Sequence, residues 1–334
     1  MKFSRTEKKA MLLDPFQEFR EAERISEVRV DPITGNSTRI LDFPVKDLPY
    51  PDYSGIIEKS REFCPFCPQM IESITPKFSP ALKLKERYRR GEAVCFPNAF
   101  PYDENGAVVV ISDDHYLAMN EFTQEMLQDA LSCSIDYLSD LSDSSPVIRY
   151  QSINWNYMPL AGSSLVHPHL QIMASSSPTG YYRDVRESLE NYSGNSTFWD
   201  EYINTEKDLD QRFIDETGHI SWFCAFAPMG IFDILGFAAN AQVPSQLREH
   251  HVNELAEGIV KILHFFHEKK MPAFNMSIYF DSENREFMPH LRICPRVALP
   301  PFETSEINYI RMLHNESMTV IKPENLCLEL KEQW

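Results

Sequence analysis

The sequence predicts an α+β fold made of two like units, each with a largely antiparallel sheet and packed helices, duplicated within one chain. Three observations carry that expectation. The 334 residues are enough for two domains or for an internal duplication. Hydrophobic residues make up 43% and charged residues 24%, a globular profile that excludes a disordered scaffold. The order strand, long helix, strand, strand occurs twice. No sequence identity between the copies is evident, so the repeat rests on element order, with domain limits expected at 1–180 and 181–334.

In the first half, Ala107–Ser112 (AVVVIS) and Val147–Ile153 (VIRYQSI) are short β-branched runs of strand type. Between them Thr123 opens a helix on which Leu127, Leu131, Ile135 and Leu138 recur at helical spacing and form a core face. The second half repeats this with a strand over His219–Pro228 and a helix after Ser245 carrying Leu247, Leu255, Ile259, Ile262 and Phe266. Strands at Phe274–Phe280 and Phe287–Cys294 follow. The Pro-rich stretches Phe43–Gly55, Phe96–Gly106, Ser175–Gly180 and Pro295–Phe302 read as loops, because proline removes a main-chain donor. The polar stretch Ser175–Asp215 reads as an irregular connection.

Lys and Arg number 32 against 49 Asp and Glu, a net charge of −17 that argues against a broad grip on a nucleic acid backbone. Any phosphate must be held locally. No window approaches 18 consecutive apolar residues, and the short apolar run near the start has no small-residue cleavage site, so neither a membrane nor export is expected. Seven scattered cysteines are an odd count with no disulfide framework, which leads us to expect reduced thiols and a cytoplasmic location.

Two motifs bear chemistry. In Cys64-Pro65-Phe66-Cys67 the thiolates can fill half of a tetrahedral zinc shell, act as a redox dithiol, or be two unrelated thiols. In the strand-like run after Gly162-Ser163-Ser164, the side chains of His167, His169 and Gln171 lie two apart and share one face. Three polar groups on one face suit a site better than a half-exposed strand.

These residues resemble the galactose-1-phosphate uridylyltransferase family, within the histidine-triad-like superfamily. The resemblance is carried by Cys64-x-x-Cys67, His115 in SDDHY, Asn156 and Gly162-Ser163-Ser164 before His167-Pro168-His169-Leu170-Gln171. Asp31-Pro32-Ile33-Thr34-Gly35 and Phe96-Pro97-Asn98-Ala99-Phe100 add to it, over most of residues 28–175, with a fainter match through HLRICPR. It implies two histidine-triad-like units and one structural zinc on Cys64, Cys67, His115 and His167. It further implies a nucleophile in His169, phosphoryl contacts from Gln171, a phosphate lining of Asn156, Gly162, Ser163 and Ser164, and base and ribose contacts from Asn98 and Phe100. A homodimer is also implied.

A neutral imidazole is a competent nucleophile when a hydrogen bond to one ring nitrogen leaves the other lone pair free. Triad hydrolases carry a third histidine where Gln171 stands, and an amide cannot shuttle protons, which favours transfer. The reaction implied is transfer of a nucleoside monophosphate from a nucleotide sugar to a sugar 1-phosphate. The alternatives are phosphorolysis of a nucleotide sugar or dinucleoside polyphosphate by inorganic phosphate, and a zinc-stabilised nucleotide-binding protein without catalysis. The first alternative is motivated by Ser305 and Ser317, which stand where the family has a lysine and a glutamine; the second by Leu170, which replaces a glycine and suggests crowding.

Arg29 and Arg39 are candidates for holding phosphate. His290 lacks histidine neighbours, with Phe280 in place of one, so no second metal is expected in that region. His250-His251 and His264-x-x-His267 read as an exposed helix surface. Cys95, Cys133, Cys224, Cys294 and Cys327 read as small buried apolar residues, and Trp155 and Trp222 as core.

Overall fold

A computed structural model describes residues 1–41, 50–239, 241–299 and 304–334. The chain opens with strands β1 (Arg5–Asp14), β2 (Arg20–Val30) and β3 (Ser37–Leu41), followed by helices α1 (Ser54–Arg61) and α2 (Pro68–Ile74). A first large unit runs through β4 (Tyr88–Arg90), β5 (Ala93–Pro97), β6 (Asn105–Val110), α3 (Gln124–Ser144), β7 (Tyr150–Tyr157) and β8 (His169–Ser175). Helices α4 (Gly180–Glu190) and α5 (Phe198–Leu209) lead to a second unit of the same order. It comprises β9 (Phe213–Thr217), β10 (Ile220–Cys224), β11 (Ile234–Ala238), α6 (Glu249–Glu268), β12 (Ala273–Asp281) and β13 (His290–Arg296). Then come β14 (Ala298–Leu299), β15 (Thr304–Ser305), α7 (Tyr309–His314), β16 (Ser317–Thr319) and α8 (Pro323–Lys331).

Among the described residues one sheet has the strand order β4-β5-β6-β8-β7-β12-β13-β11-β10-β9. Read inward from either edge the pattern is the same, so the two units are related by a pseudo-twofold axis between β7 and β12. Those two strands pair antiparallel, with Ile153 opposite Ile278 and Trp155 opposite Met276. The register also reveals a sequence trace of the duplication that element order had hidden. His169 lies opposite Val110 and His290 opposite Phe237, so Pro168-His169-Leu170 and Pro289-His290-Leu291 occupy equivalent places. In both copies the ring Nδ1 bonds the carbonyl oxygen two residues back at 2.8 Å.

Period-two alternation sends the side chains of this sheet to two differently covered faces. On one, α3 and α6 pack with Leu127, Leu131, Leu138, Leu255, Ile259 and Phe266 against Ile153, Trp155, Leu170, Trp222 and Leu291. The hydroxyl of Thr123 caps α3 by accepting the Met126 N–H at 3.2 Å, as the sequence predicts. On the other face, Cys64, Phe66, Cys67 and Ile71 cover Val94, Phe96, Val108 and Val110 of the first unit. Tyr182, Trp199 and Tyr202 of α4 and α5 cover Phe223, Leu235 and Phe237 of the second.

The stretch read as irregular is thus mostly two helices. Its apolar residues are sparse among charges, but Tyr182, Val185 and Leu189 lie one helical face apart, and Thr197 caps α5 through the Asp200 N–H. The loops expected at 43–55 and 295–302 lie partly outside the described residues. Within the second, Pro295 and Arg296 end β13, where a proline forfeits one ladder donor near the strand end.

A second sheet, β1-β2-β3-β16, joins the N-terminus to the C-terminal segment. Its β1–β2 hairpin was not legible in the sequence, because most of its residues are exposed on both faces and no alternation arises. Buried ion pairs fasten this sheet to the second unit. Arg29 is 1% exposed and bonds Glu27, Glu324 and the Phe226 carbonyl, while Arg212 bonds Glu206 and Glu324. No helix among the described residues is long and apolar enough to cross a membrane.

The Trp222 indole lies between two glycines, Gly236 on β11 and Gly258 on α6, and donates its N–H to Thr217 Oγ1 at 2.8 Å. A Cβ at position 258 would sit 2.1 Å from the indole. An exposed helical Gly→Ala gains up to about 1 kcal/mol. Here we expect Gly258→Ala to cost about 1–3 kcal/mol in urea unfolding, the usual penalty of overpacking; a stabilised variant would contradict this packing.

Candidate active site

The Cys-x-x-Cys turn leads directly into α2, with Cys67 at the N-cap position in an extended conformation and Pro68 at the first helical position. This brings both sulfurs to the end of β6 and the start of β8. Ligand atoms of Cys64, Cys67, His115 and His167 all lie within 4.8 Å of one another. His167 Nδ1 is 3.5 Å from Cys64 Sγ and 3.7 Å from Cys67 Sγ, and His115 Nδ1 is 3.4 Å from Cys67 Sγ.

Both rings are oriented from behind. His167 Nε2 donates to the Ser112 carbonyl at 2.8 Å, and His115 Nε2 bonds Ser60 Oγ at 2.9 Å. A carbonyl oxygen only accepts, so Nε2 of His167 carries the proton and its Nδ1 lone pair faces the thiols. Burial pushes the His167 imidazole down to about 4, which keeps it neutral. Burial and the neighbouring Cys64 push the Cys67 thiol up to about 11, so a cation is needed to hold two thiolates here. Two sulfurs, two imidazole nitrogens and outer hydrogen bonds on each ring fit a four-coordinate metal ion.

His169 follows two residues later on the same face and is 4% exposed. Its Nδ1 donates to the His167 carbonyl at 2.8 Å, by the same argument, leaving the lone pair on Nε2. Burial lowers its pKa, so the ring is neutral at pH 7. Phe66, between the two cysteines, packs edge-on against it with centroids 5.1 Å apart. Leu170 belongs to the helix-covered core on the opposite face and is 1% exposed, so the crowding expected from it does not arise.

Gln171 lines a cavity of about 360 Å³ together with Asn98, Tyr102, Gly106, Asn154, Asn156, Asn275 and Ser277. Its polar wall comes from β7 and β12. Ser277 donates to Asn154 Oδ1 at 2.7 Å, Asn275 donates to Asn156 Oδ1 at 2.7 Å, and Asn154 donates to the Gln171 carbonyl at 3.1 Å. Asn154, Asn275 and Ser277 were missed in the sequence. The signal was present, since Ser152, Asn154 and Asn156 alternate with Ile153, Trp155 and Tyr157, as Asn275 and Ser277 do with Phe274, Met276 and Ile278.

The remaining expected residues are dispersed. Phe100 is 87% exposed. Gly162 ends a short turn with φ +86°, Ser163 gives its hydroxyl to the Leu165 carbonyl at 2.7 Å, and neither they nor Ser164 line the cavity. Arg29 is consumed by the buried ion pairs above, and Arg39 by Glu316, which removes both as phosphate candidates. A larger cavity of about 630 Å³ shares Asn275, Met276 and Ser277 with the first and is lined further by Arg292, Arg296, Arg311, Ser305 and Ser317.

No protein-family model matches the sequence. An uncharacterised protein of Archaeoglobus fulgidus is 31% identical over 317 residues, covering 93% of each chain. The structure of an ADP-glucose phosphorylase from Arabidopsis thaliana with bound ADP-glucose matches with a TM-score of 0.72 at 16% identity, over 92% of this chain and 98% of that one. A uridylyltransferase mutant matches with a TM-score of 0.66 at 15% identity, over 92% and 97%. The fold is therefore that of the uridylyltransferase-like proteins, two histidine-triad-like units in one chain.

Proposed function

Because this chain belongs to one family with the Archaeoglobus fulgidus protein and has the uridylyltransferase-like fold, we propose that it is a nucleotidyltransferase. It would pass a nucleoside monophosphate from a nucleotide sugar to a sugar 1-phosphate through a nucleotidyl-histidine on His169. The observation that carries this reading is the Nδ1 bond from His169 to the His167 carbonyl, which leaves Nε2 with a free lone pair two residues from a cavity-lining glutamine.

In the first step Nε2 attacks the α-phosphorus, forming an N–P bond as the P–O bond to the sugar 1-phosphate breaks. The imidazolium that results keeps its Nδ1–H donating to the His167 carbonyl oxygen, which stabilises the positive charge. A phosphate oxygen of the acceptor then attacks the same phosphorus and the P–N bond breaks. Gln171, unable to exchange protons, donates hydrogen bonds to the phosphoryl oxygens. Cys64, Cys67, His115 and His167 would hold one structural zinc ion, which supplies rigidity to the start of β8. Such pre-positioning is worth several of the roughly 7–11 kcal/mol available from orientation.

One specific observation favours phosphorolysis as the second reading. Ser305 and Ser317, on the larger cavity, are short, and Ser317 Oγ accepts from Arg311 at 3.1 Å, leaving little reach toward a sugar phosphate. The non-catalytic reading loses its motive, since Leu170 faces the core.

Incubation with an α-labelled nucleotide sugar should leave an acid-labile, alkali-stable label on the wild-type chain and none on His169→Ala. Absence of label from every nucleotide tested would refute the enzyme reading. Discharge by sugar 1-phosphate supports transfer, whereas discharge by inorganic phosphate alone overturns it in favour of phosphorolysis. Burial lowers the His169 pKa below the ordinary ~6.5, and the neutral form is the reactive one. The labelling rate should therefore fall as the pH drops through a His169 pKa below its ordinary value and level off above about pH 7.5; a rate still climbing steeply above about pH 8 would contradict a neutral, carbonyl-bound ring. Elemental analysis should find cluster zinc in the wild type and its loss in Cys64→Ser, while a folded wild-type chain that binds no zinc at the cluster would sink the metal assignment.

A further inference from the structure

His219 meets the adjacent pair His250-His251, 31 residues further along the chain, where the β9–β10 turn folds onto the start of α6. His219 stands in the turn between β9 and β10, and His250 and His251 lie in the first turn of α6. Their ring centroids are 5.0 Å (His219 to His250), 5.4 Å (His219 to His251) and 4.0 Å (His250 to His251) apart. One ligand nitrogen from each lies within 4.8 Å of the others. His251 is buried, contrary to the exposed-helix reading, whereas His219 and His250 are open to solvent.

A carboxylate organises the cluster. Glu254, one turn along α6, accepts the His219 main-chain N–H at 2.8 Å and its ring Nδ1–H at 3.0 Å. The carboxylate reaches the turn because residue 218 is glycine, with φ +59°, and a Cβ there would lie 2.1 Å from Glu254 Oε1. With Nδ1 donating to a carboxylate, His219 presents its Nε2 lone pair outward, the arrangement that orients a metal-ligating imidazole. In the equivalent turn of the first unit the Asp129 carboxylate lies over Gly91, where an added Cβ would sit 1.9 Å from Asp129 Oδ2, but Glu92 follows the glycine there. The carboxylate over the glycine therefore belongs to the repeated fold, and the histidines belong to the second copy alone.

We propose that His219, His250 and His251, oriented by Glu254, bind one divalent transition-metal ion at a site separate from the cysteine cluster. Imidazole nitrogens without thiolates suit zinc, nickel, cobalt or copper(II). Metal–nitrogen bonds of about 2.0–2.1 Å require the rings to close in, which the exposed ring of His250 can do by side-chain rotation while His219 stays on Glu254. These two are the primary ligands. His251 Nδ1 accepts the Arg248 N–H at 3.1 Å, so its Nε2 keeps a proton, and it joins only by exchanging that bond. The positive end of the α6 dipole opposes a cation here, which makes this site weaker than the four-ligand cluster. A bound ion would clip the β9–β10 turn to the start of α6.

The test is equilibrium dialysis of the full chain against zinc, read as zinc per chain. The double variant His219→Ala/His250→Ala should hold one zinc fewer than the wild type, whatever the cysteine cluster retains. Glu254→Gln should weaken that zinc by about 10–100-fold without touching the other. Cobalt in the lost position should show ligand-field bands without thiolate charge transfer. Equal zinc in wild type and double variant, or thiolate charge transfer from the position lost, would overturn the proposal.

Discussion

His167 is held from both ring nitrogens, and the candidate chemistry depends on that constraint. Its Nε2 donates to the Ser112 carbonyl at the end of β6, and its Nδ1 faces the two thiols. Its own carbonyl then accepts from His169. One residue thus ties the cysteine turn, the exit of β6 and the start of β8 together, and hands the alignment on to the proposed nucleophile by a single main-chain contact. Pro168 between them removes one torsional freedom. The short path matters because each added rotatable bond between anchor and reacting atom would loosen the aim.

The duplicated unit shows what the same framework becomes without that anchor. At the equivalent of His167 stands Met288, which offers no imidazole. His290 keeps the Nδ1 bond of its counterpart, but its Nε2 bonds the Tyr181 hydroxyl at 2.8 Å and the ring is packed among aromatics of α4, α5 and the sheet. Burial pushes this imidazole down to about 4. Where Gln171 faces a cavity, Arg292 bonds Asp233 at 2.9 Å and Asp31 at 3.2 Å. Asp31 comes from the Asp31-Pro32-Ile33-Thr34-Gly35 turn, so that motif works as a clasp between the N-terminal sheet and the second unit. Breaking such a buried pair typically costs about 3–5 kcal/mol, because the remaining charge is left uncompensated. The first copy carries the proposed nucleophile, while the second contributes Asn275 and Ser277 to the cavity wall and uses the position equivalent to Gln171 to secure the fold.

The acidic composition is consistent with this division. Arg29, a phosphate candidate in the sequence, is spent together with Arg212 on Glu27, Glu206 and Glu324 inside the protein, and Arg39 on Glu316. Main-chain polarity, amides and hydroxyls line the smaller cavity instead. Recognition by oriented neutral donors needs rigid walls, and the β7–β12 pair supplies one, with Asn154 and Asn156 facing Ser277 and Asn275 across a single register.

Local chemistry was legible in the sequence wherever a residue type and a short spacing carry the physics. Cys64 and Cys67 share a turn, His169 and Gln171 share a strand face that begins two residues after His167, Thr123 caps a helix, and the element order discloses a duplication. Those are consequences of period two, period 3.6 and capping, which act within a few residues. Tertiary structure decided what depends on contacts across the chain. It brought His115 to the thiols and took Arg29 and Arg39 away from any phosphate. It turned Leu170 into the core and aligned Pro289-His290-Leu291 with its twin. Sparse apolar residues in 180–209 became helices because a sheet face waited to be covered, and His219 met His250 because a glycine turn folds back onto a helix. Spacing encodes which atoms are offered; only packing determines which of them face one another.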